Sequence, residues 1–267
     1  MNVIALTYQD ILMAAVLVFI LAGITYVMKL GLARQLGIAA VRTTVQLLLI
    51  GLVLKSLFAH AHLIWVSGIA ILMVLAAGRE VIARQKWRFK GFWGFGVGTG
   101  SMFISSFAIA VLALRVMIGP TPWYTPQYAI PLLGMLLGNT MNGIALAMKS
   151  LTQSAFQQRA LIEQRLMLGD SSQDSISDIR RDSMRTGMIP IINAMAAAGI
   201  VSLPGMMTGQ ILAGSPPTEA VMYQILIMLL ITAGTGFGTA AAILMTARRL
   251  FDDRHRLRLD RLRATKE

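Results

Sequence analysis

Of the 267 residues, 56% are hydrophobic and only 13% are charged, against roughly 25% charged in an average soluble domain, and the mean hydropathy is +0.67. So few charges cannot clothe a soluble surface, and a chain this apolar cannot remain disordered. Yet Lys+Arg number 24 against 12 Asp+Glu, a formal net charge of +12, so the composition predicts an all-α, polytopic membrane protein with basic loops and ends rather than a nucleic-acid binder.

A span requires about 20 mostly apolar residues, and seven stretches qualify. The first, Ile11–Met28, has no basic segment before it and is too long for a cleavable signal, so it reads as a span; Lys29 and Arg34 follow it. The second, Leu36–Phe58, carries Arg42 about 9 Å inside its start, with Gln46 one turn further on the same face. Arg42 either snorkels to the headgroups or lines the mouth of a pathway. His60 and His62 lie in the short loop before the third span, Leu63–Ala83, which has Glu80 at its inner boundary; Arg79, Arg84, Lys86, Arg88 and Lys90 cluster at and after its end.

The glycine run Gly91–Gly100 follows no strand, lacks G-x-G-x-x-G spacing and has no Lys-Ser/Thr after it, so it is not a phosphate loop and the chain has no ATP site of its own. It leads into the fourth span, Gly94–Met117. In the fifth, Tyr128–Lys149, the side chains of Met135, Asn139 and Asn142 share a face. An unpaired Asn in hydrocarbon costs several kcal/mol, so these two either bond a neighbouring helix or line a pathway.

Residues 150–185 form the largest hydrophilic segment. A helix over Leu151–Leu168 is expected to end at Gly169, a residue suited to the left-handed position past a helix end. Ser171 with Asp174 resembles a capping box that starts a second helix, on which Asp174, Asp178 and Asp182 would form an acidic stripe. The segment is either an amphipathic hairpin lying on the headgroups or a docking element for a partner; three stacked carboxylates favour the second, because an anionic leaflet repels them. The sixth span, Thr186–Leu203, contains Pro190 and Asn193 and precedes Pro204, leaving Gly205–Gly214 as an outer loop or a re-entrant piece. Met206 and Met207 there are soft donors, although methionine commonly only fills cores. The seventh span, Val221–Ala247, leads into a basic tail, residues 248–267. The glycine pairs Gly94/Gly98, Gly134/Gly138 and Gly234/Gly238 read as close helix contacts.

Twenty-one of the 24 Lys and Arg fall in the segments after spans one, three, five and seven. Positive charge collects in the cytoplasm, so an outer N-terminus and a cytoplasmic C-terminus are expected. Residues 150–185 are the exception, with five acids against five Arg. No Asp, Glu or His is expected at the membrane midplane, which disfavours a proton-coupled carrier, excludes intramembrane His-dependent proteases, and leaves no carboxylate site for a hard metal.

The helix, Gly-containing turn and polar helix between two spans resemble the coupling loop of ABC-transporter permeases. In that loop a Glu precedes a Gly by six residues, as Glu163 precedes Gly169, with Asp170 following; the downstream Ile-x-Leu-Pro of importers is absent, since Ile179 is followed by Arg180, Arg181 and Asp182. The strings IPLLGMLLGNTMNGIAL (Ile130–Leu146), IEQRLMLGDSSQDSISDIRRDSMRTGMIP (Ile162–Pro190) and GIVSLPGMMTGQILAG (Gly199–Gly214) are similar to the FetB-type family of iron-exporting ABC permeases, related to plant aluminium-tolerance permeases. The resemblance implies a single permease domain, residues 1–267, in a bacterial inner membrane. It also implies a homodimer with two copies of a separate ATPase that holds ATP and Mg, and outward movement of iron or a related metal-stress solute. Coupling would then fall to Glu163, Gly169, Asp170, Asp174 and Asp178, with Arg42, Gln46, Met135, Asn139, Asn142, Asn193, Met206 and Met207 as pathway candidates. A gradient-driven carrier or channel and a non-transporting scaffold are the alternatives.

Overall fold

The computed structural model describes residues 7–59 and 62–264; His60 and Lys266 lie outside them. Helices α1 (Tyr8–Val27), α2 (Ala33–Ala59) and α3 (Leu63–Ala83) follow one another, with α1 packed on α2. A three-residue strand β1 (Trp87–Phe89) precedes the fourth membrane segment, Trp93–Ile118, in which α4 (Trp93–Met102) and α5 (Ala108–Leu112) are joined and followed by two π-helical stretches, Phe103–Phe107 and Ala113–Ile118. Gly119, with φ +62, ends this segment. Pro126 opens the long helix α6 (Pro126–Gln157), and Pro217 opens α10 (Pro217–Arg249), both in the first turn where the missing N–H has no bond to lose. Between them lie α7 (Arg159–Met167), α8 (Ser177–Ala197) and α9 (Gly205–Leu212).

Among the described residues, six segments are long and apolar enough to cross a membrane: Tyr8–Val27, Ala33–Phe58, Leu63–Ala83, Trp93–Ile118, Pro126–Gln157 and Pro217–Arg249. The expected sixth span, Thr186–Leu203, differs. Its helix begins earlier, at Ser177, so eight of its first ten residues are polar, and it stops at Ala197. The apolar part, Gly187–Ala197, covers roughly 16 Å at 1.5 Å per residue, short of a hydrocarbon core of about 30 Å. Gly199, at φ +82, and Pro204 make the break, and Gly205–Leu212, expected as an outer loop or a re-entrant piece, forms the short helix α9, packed on the first turns of α10.

The main core lies among α3, the fourth segment, α6, α8 and α10, centred on Val74, Val81, Val97, Met102, Leu136, Ile144 and Ile227. Glycines bring these helices close. At Gly187 an added Cβ would stand 2.7 Å from the Gly143 carbonyl oxygen, and at Gly143 it would stand 2.6 Å from Thr235 Cγ2. Gly238 is equally tight against Ser105 and Thr140, and Gly98 lies against Gly78. Of the expected glycine pairs, the ones ending in Gly98 and Gly238 pack in this way; Gly138 faces open space, and the tightest contact, Gly143 with Gly187, joins two helices and shows in no single run of sequence. By contrast α1 packs on α2 and both expose nearly all their apolar side chains, as lipid-facing helices do.

A second core forms beyond the helix ends. Phe89 of β1, Leu151, Ala155, Ile162, Ile176, Ile179, Leu250, Phe251 and Leu262 pack together, and Trp87 stacks on Phe156 with ring centroids 4.2 Å apart. Strand β2 (Leu262–Ala264) returns to pair antiparallel with β1, placing Trp87 opposite Ala264 and Phe89 opposite Leu262. Residues 150–185 and the tail are each too short to build a core alone; joined with the segment after α3, they share one.

Candidate functional site

Two arrangements stand out. The first is a polar flank at membrane depth. Arg42, nine residues and so about 14 Å into α2, forms an ion pair with Glu80 in the last turn of α3. Glu80 is therefore not an isolated boundary acid, and Arg42 reaches a carboxylate of the same chain instead of the headgroups. One turn beyond Glu80, Arg84 donates to the Oδ1 of Asn142 on α6. Asn139 donates through Nδ2 to the carbonyl of Met135 in its own helix at 2.8 Å. Asn139, Asn142, Asn193 and Gln46 are all exposed. The adjoining face of α6 is filled by α8 and α10, through Gly143, Ala147 and Thr140.

On α8 the buried line Ile179, Ser183, Gly187 and Ile191 faces α6, and Met188 and Met195 reach α10, at Gly236 and at Thr232. Asn193 stands on the other flank, two turns from Thr186. The pathway candidates are therefore not gathered at one place: Asn139 and Asn142 are exposed on α6 with Met135 half-buried beside them, Arg42 is tied to α3 through Glu80, and Asn193 is exposed on the side of α8 away from its buried line. The remaining methionines part company, since Met206 packs on the main core while Met207 lines a cleft of about 420 Å³ with Met195, Met228 and Gln224. Among the described residues no group of three or more His, Asp or Glu could hold a metal ion.

The second arrangement is the hairpin below α6. Gly169 has φ +101, and the N–H groups of Gly169 and Asp170 return to the carbonyls of Leu166 and Arg165, closing α7 as expected. The expected start at Ser171 does not hold. Ser171 Oγ does accept from Asp174 N–H at 3.2 Å and donates to its carboxylate at 2.6 Å, but the chain continues as a turn, because burial of Ser175 and Ile176 in the second core fixes it there, and α8 begins at Ser177. Asp174 therefore stands apart from Asp178 and Asp182, and the predicted three-residue stripe is broken. Asp178 instead ties α8 to α7 through Arg165 at 3.1 Å, and Glu163 pairs with Arg159 at 2.8 Å.

Sequence reasoning missed the tip itself. Met167 and Leu168 are 79% and 86% exposed beside Gly169 and Asp170, an apolar knob on an otherwise charged hairpin; two adjacent apolar residues before a helix-ending glycine were the available signal. It also missed the tail's ion network. Hydrogen bonds from the backbone of Arg256 and from its guanidinium hold Asp252 down at about 2, and Arg258 does the same to Asp260.

Residues 8–251, from the first turn of α1 to just past α10, match the uncharacterised protein family UPF0014. The chain belongs to this family. It is 36% identical over 232 residues to the UPF0014 membrane protein slr1647 of Synechocystis, covering 85% of this chain and 87% of that one. It is 30% identical over 273 residues to the probable iron export permease protein FetB of Escherichia coli, covering 98% and 99%. It is also 30% identical over 234 residues to the ALUMINUM SENSITIVE 3 protein of Arabidopsis thaliana, covering 87% and 82%. No solved structure matches the chain. The family match takes in both the polar flank and the hairpin, and it stops before β2.

Proposed function

We propose that this chain is the membrane subunit of an ABC transporter, a homodimer that exports iron or a related metal-stress solute with ATP hydrolysed by two copies of a separate subunit. The observation that carries the reading is the hairpin: a rigid turn, cross-linked by Arg165–Asp178, that presents Met167, Leu168, Gly169 and Asp170 outside the membrane core. An apolar tip on a cross-braced lever is what a motor subunit needs in order to push, and membrane lipid would not require the acids around it. The name of the Escherichia coli relative supports the direction and the cargo.

The topology supports the same picture. Strand β1 just after α3, the ends of α6 and α10 and the start of α8 share the second core, so they lie on one side of the membrane, and α10 starts on the other. The chain must cross between Ser177 and Pro217, and α8 with α9 is the segment available, a seventh crossing broken at Gly199–Pro204. The N-terminus then lies outside and the C-terminus in the cytoplasm of a bacterial inner membrane, as the basic residues suggest. Broken spans are tolerated where the freed backbone faces protein or a cavity. In this reading the polar flank faces a second copy across a shared pathway, because Asn139 and Asn193 left against hydrocarbon would each cost several kcal/mol.

The test is Leu168→Asp. Purified from native membranes, the wild-type chain should bring with it a protein carrying G-x-x-x-x-G-K-[ST] and ATPase activity, and the variant should insert normally but lose at least about 90% of that protein, as expected for one central apolar anchor. Undiminished association of the variant would overturn the docking site.

A further inference from the structure

Where α10 ends and the fourth segment begins, a cleft of about 370 Å³ opens between Trp93, Arg248, Arg249, Arg261, Asp252 and Asp253. Its depth in the membrane is marked by aromatics. Phe92 is 90% exposed and Trp93 is half exposed, side by side at the first turn of a spanning segment, the position of the aromatic belt at headgroup level. The guanidinium of Arg249 lies 4.6 Å from the centre of the Trp93 ring, and its Nε–H is buried with no hydrogen-bond partner. A buried, unpaired guanidinium N–H is costly, and an anionic oxygen is the acceptor it suits best. Arg261 is fixed in the wall by donating from Nη1 to the carbonyls of Arg249 and Phe251, each at 3.0 Å, while Arg248 is exposed at the rim.

The acids do not cancel these three charges. Asp252 is already taken up by Arg256 at 2.8 Å and Arg258 at 3.7 Å, and by the N–H groups of Arg254 and Arg256. Asp253 alone opposes three guanidinium groups.

We infer that this cleft binds the phosphate of an anionic membrane phospholipid, with Arg248 and Arg249 gripping the phosphate and Trp93 holding the glycerol backbone at the interface. Planar forks that can take two oxygens at once make Arg the residue suited to such a group, and basic pockets between spans at the cytoplasmic surface are the usual seat of acidic headgroups. Such a lipid would bridge the fourth segment, α10 and the tail, and the inference stands whether or not the chain moves a metal.

The experiment is native mass spectrometry of the full chain in detergent, offered phosphatidylglycerol or phosphatidylcholine, with inorganic phosphate as a separate arm. Wild type should retain phosphatidylglycerol over phosphatidylcholine. Arg248→Gln/Arg249→Gln should lose that retention by about thirty-fold, from about 1 kcal/mol for each basic residue at the surface, and Arg248→Lys/Arg249→Lys should recover much of it with an unchanged thermal midpoint in all three proteins. Equal retention by wild type and the double Gln variant would overturn the site. Binding of inorganic phosphate without any retained lipid would overturn the assignment to a lipid.

Discussion

Two sets of polar and small residues cross the membrane in this protein, and they are treated in opposite ways. Along the seam of α6, α8 and α10, Gly143, Gly187, Thr235, Thr239 and Gly238 press backbone against backbone and are closed to everything outside the chain. Elsewhere Asn139 and Asn142 on α6 and Asn193 on α8 are exposed, with Arg42–Glu80 joining α2 to α3 and Arg84–Asn142 joining the end of α3 to α6. The seam is packed shut within the chain, even though the buried hydroxyls of Thr235 and Thr239 find no hydrogen-bond partner there. The flank is not, and a membrane protein leaves such groups open only where protein or water stands beside them. The contrast separates the groups that hold the chain together from the polar groups it leaves open.

The comparison is broken most severely by Gly187→Leu. Even a Cβ would collide with the Gly143 carbonyl, with Ala147 and with Thr239, so α8 cannot stay in place. Overpacking on this scale should cost on the order of 3 kcal/mol or more, and thermal unfolding in detergent should show loss of most folded protein. Asn142→Leu should behave oppositely. It removes only the bond from Arg84 at an exposed position, so stability should move by no more than about 1 kcal/mol, while metal efflux measured in cells falls well below wild type. Equal damage to folding by both variants would erase the distinction between seam and flank.

Much of the architecture was readable because long apolar runs announce themselves. The first five and the seventh expected spans coincide with α1, α2, α3, the segment Trp93–Ile118, α6 and α10 to within several residues, and Gly169 ends α7 for the backbone reason predicted. The failures share a cause: each depends on residues distant in sequence. The Ser171–Asp174 hydrogen bonds form, yet Ile176 buries itself against residues from α6 and the tail, and that tertiary contact moves the helix start to Ser177. Arg42 gave a local choice between headgroups and a pathway; its partner Glu80 is 38 positions away. Strand β1 has three residues, too few for any alternation to register, and it exists because β2 returns from the far end of the chain. Of the candidate site, the polar residues within spans could be named in advance, but the exposed tip Met167–Leu168 could not be told from core filler until the hairpin placed it outside.

In the proposed transporter the flank of α6 lines a water-filled pathway while α2 faces lipid. The chain contains no Cys, so single Cys substitutions report cleanly. Asn139→Cys, Asn193→Cys and the lipid-side control Leu48→Cys, each in the assembled complex, can be treated with a membrane-impermeant thiol reagent. Labelling of the first two and not of the third is the predicted result. Silence at positions 139 and 193, with either no labelling at all or labelling at 48 alone, would contradict the account.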